Sequence, residues 1–488
     1  MSPATSRFQD RAHFAPARTY RLAPFRFGRL DERRYVATND VGEHVILSRE
    51  DLSAFANKTL AADSPAYKAL QSRHFLFDAH SECAVDLLAL KVRTRAEQVA
   101  AFTGLHMFVV TLRCDHSCHY CQVSRQTESK TDFDMSEAHA EKALAMVFRS
   151  PNPNVKIEFQ GGEPLLAFDR IRWIIERGEE LARVHRKNLQ FVIATNLARI
   201  TDEILAFCKT HQIFLSTSLD GPADLHNRHR PVRGGDSHAL AITGIRRVRE
   251  ALGHDAVAAL MTTTEKSLDH VEEIVDEYVA QGFDSIFLRS LSPYGFAVRT
   301  SLVRRYGADD WLDFYKRGLT YIVRLNLEGK RIREDYTTIV LQKLFLPRGS
   351  TYVDLQSPAG IGIGGIVYNY DGAVYASDES RMLAEMGNTT FRLGHLDEDS
   401  YEAMMTSEAL LGALEDSLAE SSPMCTDCPF LPYCGSEPVF HVATQRDVVG
   451  HKAHSDFCKK QMGVVRHILT LLEDDARARE VLLSWVGT

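Results

Sequence analysis

The 488-residue chain holds nine cysteines, unevenly placed. Three stand together in Arg113-Cys114-Asp115-His116-Ser117-Cys118-His119-Tyr120-Cys121, and four gather late in the chain as Cys425, Cys428, Cys434 and Cys458. Cys83 and Cys208 are left over; Cys208 falls in a helical pattern and reads as a small core residue. An odd count clustered at short spacings points to metal ligation rather than to disulfides. Closely spaced thiolates suit a soft metal or an iron–sulfur cluster. The number in each group then matters. Four thiolates satisfy the four irons of a cubane, or a single structural zinc. Three leave one iron open to a non-protein ligand, and an open position marks a reacting centre. For the first group the plainer alternative is a three-cysteine zinc site completed by His116 or His119.

The first group follows the apolar run Leu105–Leu112, which reads as a buried strand. Its cysteines therefore sit at a strand's C-terminal end, where barrel enzymes keep their chemistry. From 105 to about 300 the pattern alternates strand and helix. The predicted strands are Leu105–Leu112, Val155–Gln160, Leu189–Thr195, Ile213–Leu219, Ala256–Thr262 and Asp284–Leu291. Helical stretches such as Ser136–Arg149, Asp169–His185, Ser237–Leu252 and Leu268–Gln281 lie between them. Six such repeats argue for an α/β protein whose parallel sheet closes into a partial barrel. Each strand end becomes a candidate site. After the second comes Gly161-Gly162-Glu163-Pro164, where glycines let backbone approach a ligand and a carboxylate can accept from an ammonium. The third ends Ala194-Thr195-Asn196 and the fourth Ser216-Thr217-Ser218-Leu219-Asp220, placing small polar groups at the rim. His226-Asn227-Arg228-His229-Arg230 follows.

Composition narrows the classes. The chain is 44% hydrophobic and 25% charged, ordinary for a globular protein. Net charge is −8 with no long basic run, which opposes a nucleic-acid partner. No stretch of eighteen apolar residues exists, so no membrane helix is expected. Met1–Tyr20 is polar and Arg-containing without a signal-peptide core, so a cytoplasmic location is expected. The expected organisation is a flexible start over 1–20, a small α+β, winged-helix-like module over 21–100, the barrel over 101–300, a helical bridge over 301–350, a cysteine-bearing domain over 351–470 and a terminal helix over 471–488. Within the module, Tyr35–Thr38 and His44–Leu47 flank the turn Asn39–Gly42, and Ser48-Arg-Glu-Asp51 opens a helix.

Cys-x3-Cys-x-Tyr-Cys after a first strand resembles the signature of the radical S-adenosylmethionine (SAM) enzymes. The resemblance implies a (β/α)6 barrel, a [4Fe–4S] cluster on Cys114, Cys118 and Cys121, and SAM chelating the open iron. It further implies that SAM is cleaved to a 5′-deoxyadenosyl radical after electron delivery by a flavodoxin or ferredoxin. By the same resemblance Tyr120 lies beside the adenine and Gly161, Gly162, Glu163 and Pro164 hold the amino group. Thr195, Asn196, Ser218 and Asp220 line the pocket, and Arg230 pairs with the carboxylate.

The loop Cys425-x2-Cys428-x5-Cys434, with Cys458, resembles the SPASM extension of peptide-modifying members. Two departures stand out. Pro438 occupies a position where a further cysteine is expected, and the segments around the hairpin Gly360–Tyr375 hold none. The missing cysteines all belong to one cluster, so one auxiliary [4Fe–4S] cluster is expected, or about eight irons per chain. Asp378 falls where sulfatase-maturing relatives keep a catalytic aspartate. The words Thr38–Glu43 and Leu47–Asp51 resemble the maturase of the His-Xaa-Ser repeat system. That resemblance implies oxidation or cross-linking of a side chain in a ribosomally made precursor peptide, with a partner maturase. The N-terminal module would then hold a peptide leader on a strand edge. The rivals are a sulfatase-type formylglycine-generating maturase, a non-enzymatic iron–sulfur or zinc scaffold and a tRNA-modifying enzyme.

Overall fold

The computed structural model describes residues 19–487 apart from positions 80, 82 and 351. The loose start expected over 1–20 lies outside the described residues up to position 18. Tyr20 is buried, and its hydroxyl donates to Phe55 O at 3.0 Å. An antiparallel meander follows, with strands β1 (Arg26–Arg29), β2 (Arg34–Thr38) and β3 (His44–Ser48). Asn39 makes its turn by accepting from Val41 N and Glu43 N on one side-chain oxygen. Ser48 caps the helix Arg49–Ala56 through Asp51 N, and Ser64 caps Pro65–Ser72 through Tyr67 N. The helix Ala84–Ala101 leads into the central sheet.

That sheet holds five parallel strands in chain order: β4 (Leu105–Thr111), β5 (Asn154–Gly161), β6 (Asn188–Ala194), β7 (Phe214–Ser218) and β8 (Val257–Leu260). They correspond to the first five expected strands. Met107, Phe108, Val109 and Val110 are all buried, so β4 is covered on both faces and reads as a continuous apolar run. The helices Glu137–Arg149 and Phe168–His185 bury one apolar face each against this core.

Two features differ from the expectation. The sixth strand shrinks to β9 (Ser285–Ile286), which pairs in parallel with β10 (Arg333–Glu334) outside the main sheet. The buried Glu334 carboxylate accepts from Leu288 N at 3.1 Å, so a side chain takes an amide that a longer ladder would use. The second difference is at the far edge. The hairpin of the cysteine-bearing region joins the barrel sheet rather than standing apart. Strand β11 (Gly365–Tyr368) pairs in parallel with β4, setting Gly365 opposite Leu105, and β12 (Ala373–Tyr375) and β13 (Arg392–His395) extend it antiparallel. The sheet thus reaches eight strands. The long helix Ala308–Leu327 packs on Asp456–Asp474, which the short helix Ala476–Ser484 follows. No helix among the described residues is long and apolar enough to cross a membrane.

Candidate active site

The first cysteine loop leaves the end of β4 and is pinned on several sides by its own backbone. Cys114 N donates to Gln126 O at 3.0 Å, Ser117 N to Pro231 O at 2.8 Å and His119 N to His229 O at 3.2 Å. Phe296 N donates to Cys121 O at 2.7 Å. At its root Arg113 makes a two-pronged pair with Asp134, Nε and NH2 each donating at 2.7 Å. Cys114, Cys118 and Cys121 line one cavity of about 280 Å³. Of the other expected residues, Tyr120, Gly161, Gly162, Thr195, Asn196, Ser218, Arg230 and Asp378 line it too. Burial pushes the Cys118 thiol up to about 11 and raises Cys114, where the Glu163 charge adds to the effect. Such thiols ionise in the presence of a bound cation, as metal ligation requires.

The glycines are required where they stand. Gly161 has φ +141°, and a Cβ there would lie 1.9 Å from Thr111 O. A Cβ on Gly162 would meet Arg113 O at 2.2 Å. The end of β5 thus sits hard against the root of the cysteine loop.

Glu163, Pro164 and Asp220 correct the expectation: they do not line the cavity directly and stand one layer behind it. Glu163 is fully buried, and one oxygen accepts from Thr195 Oγ1 at 2.6 Å and Leu165 N at 3.0 Å. The other accepts from Asn196 N at 2.8 Å. It clamps the ends of β5 and β6 together, and burial pushes its carboxyl up to about 7. Pro164 is buried with Leu165 in the short turn that follows. Asp220 lies behind Tyr120, whose hydroxyl donates to it at 2.7 Å and accepts from Arg230 NH1 at 2.7 Å. Burial would raise Asp220, but the facing His229 (Nδ1 3.7 Å away) and Arg230 hold it down to about 2. Tyr120 and Asp220 therefore fix the guanidinium that borders the cavity.

Asp378 opens the helix Asp378–Ala384, capped by Ser377 through Ser380 N at 3.1 Å. Its side chain is 19% exposed, and Oδ1 lies 3.6 Å from Arg381 Nε without a hydrogen-bond partner. Burial pushes the carboxyl up to about 6, against the pull of Arg381.

Several residues of this site escaped the sequence reading. Asp115, between the cysteines, accepts from Asn196 Nδ2 at 2.8 Å and Arg199 Nε at 2.9 Å, tying the loop to the end of β6. Glu158 and Gln160 line the cavity from β5, and Arg289 lines it from beyond β9. The available signal was the alternation Glu158-Phe159-Gln160, which sets two polar side chains on one face of the strand.

The second group also assembles. Cys425, Cys428, Cys434 and Cys458 line a single cavity of about 310 Å³, walled by Phe430, Phe457 and Met462. Three come from an irregular loop, and Cys458 from the first turn of Asp456–Asp474, where Cys458 N donates to the Ser455 cap at 3.3 Å. Burial pushes Cys458 up to about 11 and raises the other three; the neighbouring thiols add to the shift at Cys428, Cys434 and Cys458. Four thiols converging on one cavity fit a metal–thiolate group and suit no other evident chemistry. The N-terminal meander docks on this loop. Arg26 Nε donates to Thr426 O at 2.7 Å, Thr38 Oγ1 to Pro429 O at 2.8 Å and Tyr433 OH to Gly42 O at 2.7 Å. A third gathering, His139, His395 and Asp397, lies on the surface. There both ring nitrogens of His395 already have partners, Asp371 O at 2.9 Å and Asp397 N at 3.2 Å.

Residues 108–288 match the model of the radical SAM superfamily. The chain is 22% identical to the cysteine-type anaerobic sulfatase-maturating enzyme of Clostridium novyi over 376 residues, covering 74% of this chain and 94% of that one. It is 29% identical to an uncharacterized protein of Methanocaldococcus jannaschii over 185 residues. That match covers 38% of this chain and 61% of the relative; a match to a Synechocystis protein covers 44% of that relative. Among solved structures, anSMEcpe with bound AdoMet and the Cp18Cys peptide superposes with TM-score 0.61 at 18% identity, over 78% of this chain and 99% of that one. Streptococcus suis SuiB bound to the precursor peptide SuiA superposes with TM-score 0.52 at 13% identity, over 88% and 97%.

Proposed function

From the premise of a radical SAM domain over residues 108–288, we propose that this chain abstracts hydrogen from a side chain of a ribosomally made precursor peptide, oxidising or cross-linking it. One observation carries the reading: three thiols, the polar strand ends and Asp378, whose Oδ1 has no hydrogen-bond partner, border the same cavity. A [4Fe–4S] cluster on Cys114, Cys118 and Cys121, with SAM on its open iron, supplies a 5′-deoxyadenosyl radical when bound.

The chain's own groups do the rest. Arg230, oriented by Tyr120, offers a guanidinium to a carboxylate. The backbone of Gly161 and Gly162 approaches an ammonium without a side chain in the way. Ser218 and Asn196 offer hydrogen bonds at the rim. Asp378, as its carboxylate, accepts a proton from the reacting side chain. Cys425, Cys428, Cys434 and Cys458 fit one auxiliary [4Fe–4S] cluster. Two solved relatives of similar fold hold peptides, which supports a peptide substrate here. Strand β3 has β2 as its only strand neighbour among the described residues, which leaves an edge on which a leader can pair. The sequence words in the meander favour the His-Xaa-Ser repeat system, with a partner maturase and a flavodoxin or ferredoxin as reductant.

The test is anaerobic reconstitution, an iron count, and reduction in the presence of SAM. About eight irons per chain together with 5′-deoxyadenosine is the expected result. Stoichiometric zinc, or iron-replete protein that leaves SAM intact, overturns it.

A further inference from the structure

Lys452 lines the four-thiol cavity, and Lys343 with Arg95 borders the cavity behind Cys434; none of the three forms an ion pair with an acid. Lys452 lines the cavity and is 5% exposed. Its ammonium donates to Ser436 Oγ at 3.3 Å and to Val449 O. Lys343, 8% exposed, comes from the helix Asp335–Phe345 and donates to Leu355 O; it borders a neighbouring cavity together with Cys434. Arg95 lies beside it, its guanidinium donating to Lys343 O at 2.7 Å and Pro432 O at 3.2 Å. Every one of these acceptors is neutral. Among the described residues none of the three cationic groups forms an ion pair with a carboxylate, although Glu420 lines the same cavity as Lys343 and Arg95.

A buried charge without a counter-charge is strongly destabilising, and chains keep one only where something opposite in sign answers it. Hydroxyl and carbonyl oxygens orient an ammonium but leave its charge uncancelled. Glu420 lines the neighbouring cavity with Lys343 and Arg95 but forms an ion pair with neither; at the cavity that Lys452 lines, the concentration of anionic capacity is the thiol group itself. Four thiolates outweigh the net positive charge of an iron–sulfide core or a zinc ion, and a cluster gains a further negative charge on reduction. The three-thiol cavity shows the contrast. Arg230, one of the cations that line it, faces Asp220 across Tyr120 and so has an acid on the protein side.

We propose that Lys452 and Lys343, backed by Arg95, are the counter-charge of the metal–thiolate group at Cys425, Cys428, Cys434 and Cys458, and that they favour its reduced state. This rests on the reading of that group as an iron–sulfur cluster. The lysines act through the thiolates rather than on substrate, so they are positioning residues. They approach from different elements, Lys452 beside the cavity wall and Lys343 behind Cys434, so each contributes separately. In a medium of low dielectric such charges are poorly screened, and removing one shifts the balance between oxidised and reduced forms.

The experiment uses the full chain carrying Cys114→Ala, Cys118→Ala and Cys121→Ala, so that the second group alone holds iron. The reduction midpoint is read by spin-resonance-monitored titration after anaerobic reconstitution. Lys452→Met and Lys343→Met are each expected to keep about four irons and to make reduction about tenfold less favourable, a downward shift of about 59 mV for one electron. Lys452→Arg and Lys343→Arg keep the charge and the parental midpoint. Unchanged midpoints in iron-replete Met variants overturn the proposal and leave the cluster reading standing. So does an Arg variant that shifts as far as its Met counterpart. Should a Met variant fail to hold iron, an Arg variant with full iron and the parental midpoint supports the counter-charge, and one that also loses iron overturns it. A parent chain without iron at these four cysteines removes the cluster reading, and the proposal with it.

Discussion

The two thiol sites are built on opposite plans. The first hangs from the mouth of a parallel sheet. Its loop is held by backbone hydrogen bonds to segments around Gln126, His229–Pro231 and Phe296, and its cavity is shared with polar strand ends. The second draws none of its thiols from a strand end. Its thiols come from an irregular loop and a helix start, its walls are Phe430, Phe457 and Met462, and the N-terminal meander closes over it. Three thiols facing a polar cavity leave coordination for a reactant, whereas four thiols among apolar walls use it up. On the proposed reading, the difference separates a place where chemistry occurs from one that holds structure or passes charge.

The largest effect that can break this contrast comes from the cysteines themselves. Changing Cys114, Cys118 and Cys121 to Ala is expected to abolish 5′-deoxyadenosine formation and to lower iron from about eight to about four per chain. Changing Cys425, Cys428, Cys434 and Cys458 to Ala removes the other four or so but leaves SAM cleavage measurable. It also lowers the midpoint of thermal unfolding, because the meander loses the loop it docks on. Equal loss of SAM cleavage in both variants would erase the distinction between the sites.

On the proposed reading, Asp378 separates hydrogen abstraction from the proton transfer after it. Asp378→Asn is expected to cut modified-peptide formation by about 10²–10⁴-fold while SAM cleavage persists. Burial places this carboxyl at about 6, and only its deprotonated form accepts a proton. Product formation therefore rises with pH through about 6 to a plateau, and the variant's profile lacks that rise. A variant with parental turnover, or with the same pH limb, removes Asp378 from the reaction.

The legibility of each feature depends on how local it is. Strands β4 to β8 could be read because each repeat carries its own apolar run and its own helix start, such as Ser136 before Glu137–Arg149. The pairing of β11 with β4 could not, since Gly365 and Leu105 meet across most of the barrel sequence and no local pattern records it. The sixth strand failed for a specific reason: the Glu334 side chain occupies the Leu288 amide. The four-thiol group was legible from count alone, although Cys458 arrives from a separate helix. Within the candidate site, spacing located Gly161-Gly162-Glu163 but could not say that the carboxylate bonds Thr195 and Asn196. The lysines at the second site left no motif, because an unanswered buried charge is visible only in three dimensions.

The smallest expected effect tests the Glu163 carboxylate. Both Glu163 oxygens accept hydrogen bonds, from Thr195 Oγ1, Leu165 N and Asn196 N. Gln offers one carbonyl, so in Glu163→Gln one terminus faces a donor, at a cost of about 1–3 kcal/mol. The ionisation works the other way. Burial pushes Glu163 up to about 7 from an ordinary value of 4.5, so the folded chain holds this proton more tightly than the unfolded one. Its contribution to stability is therefore greatest below 4.5 and declines as pH rises towards 7. Gln has no such dependence, so the variant's deficit in thermal unfolding should shrink across that window. Because the carboxylate supports the cavity from behind, SAM affinity is expected to fall by less than about tenfold, a little over 1 kcal/mol. A hundredfold loss of SAM affinity with unchanged stability would return Glu163 to the cavity wall.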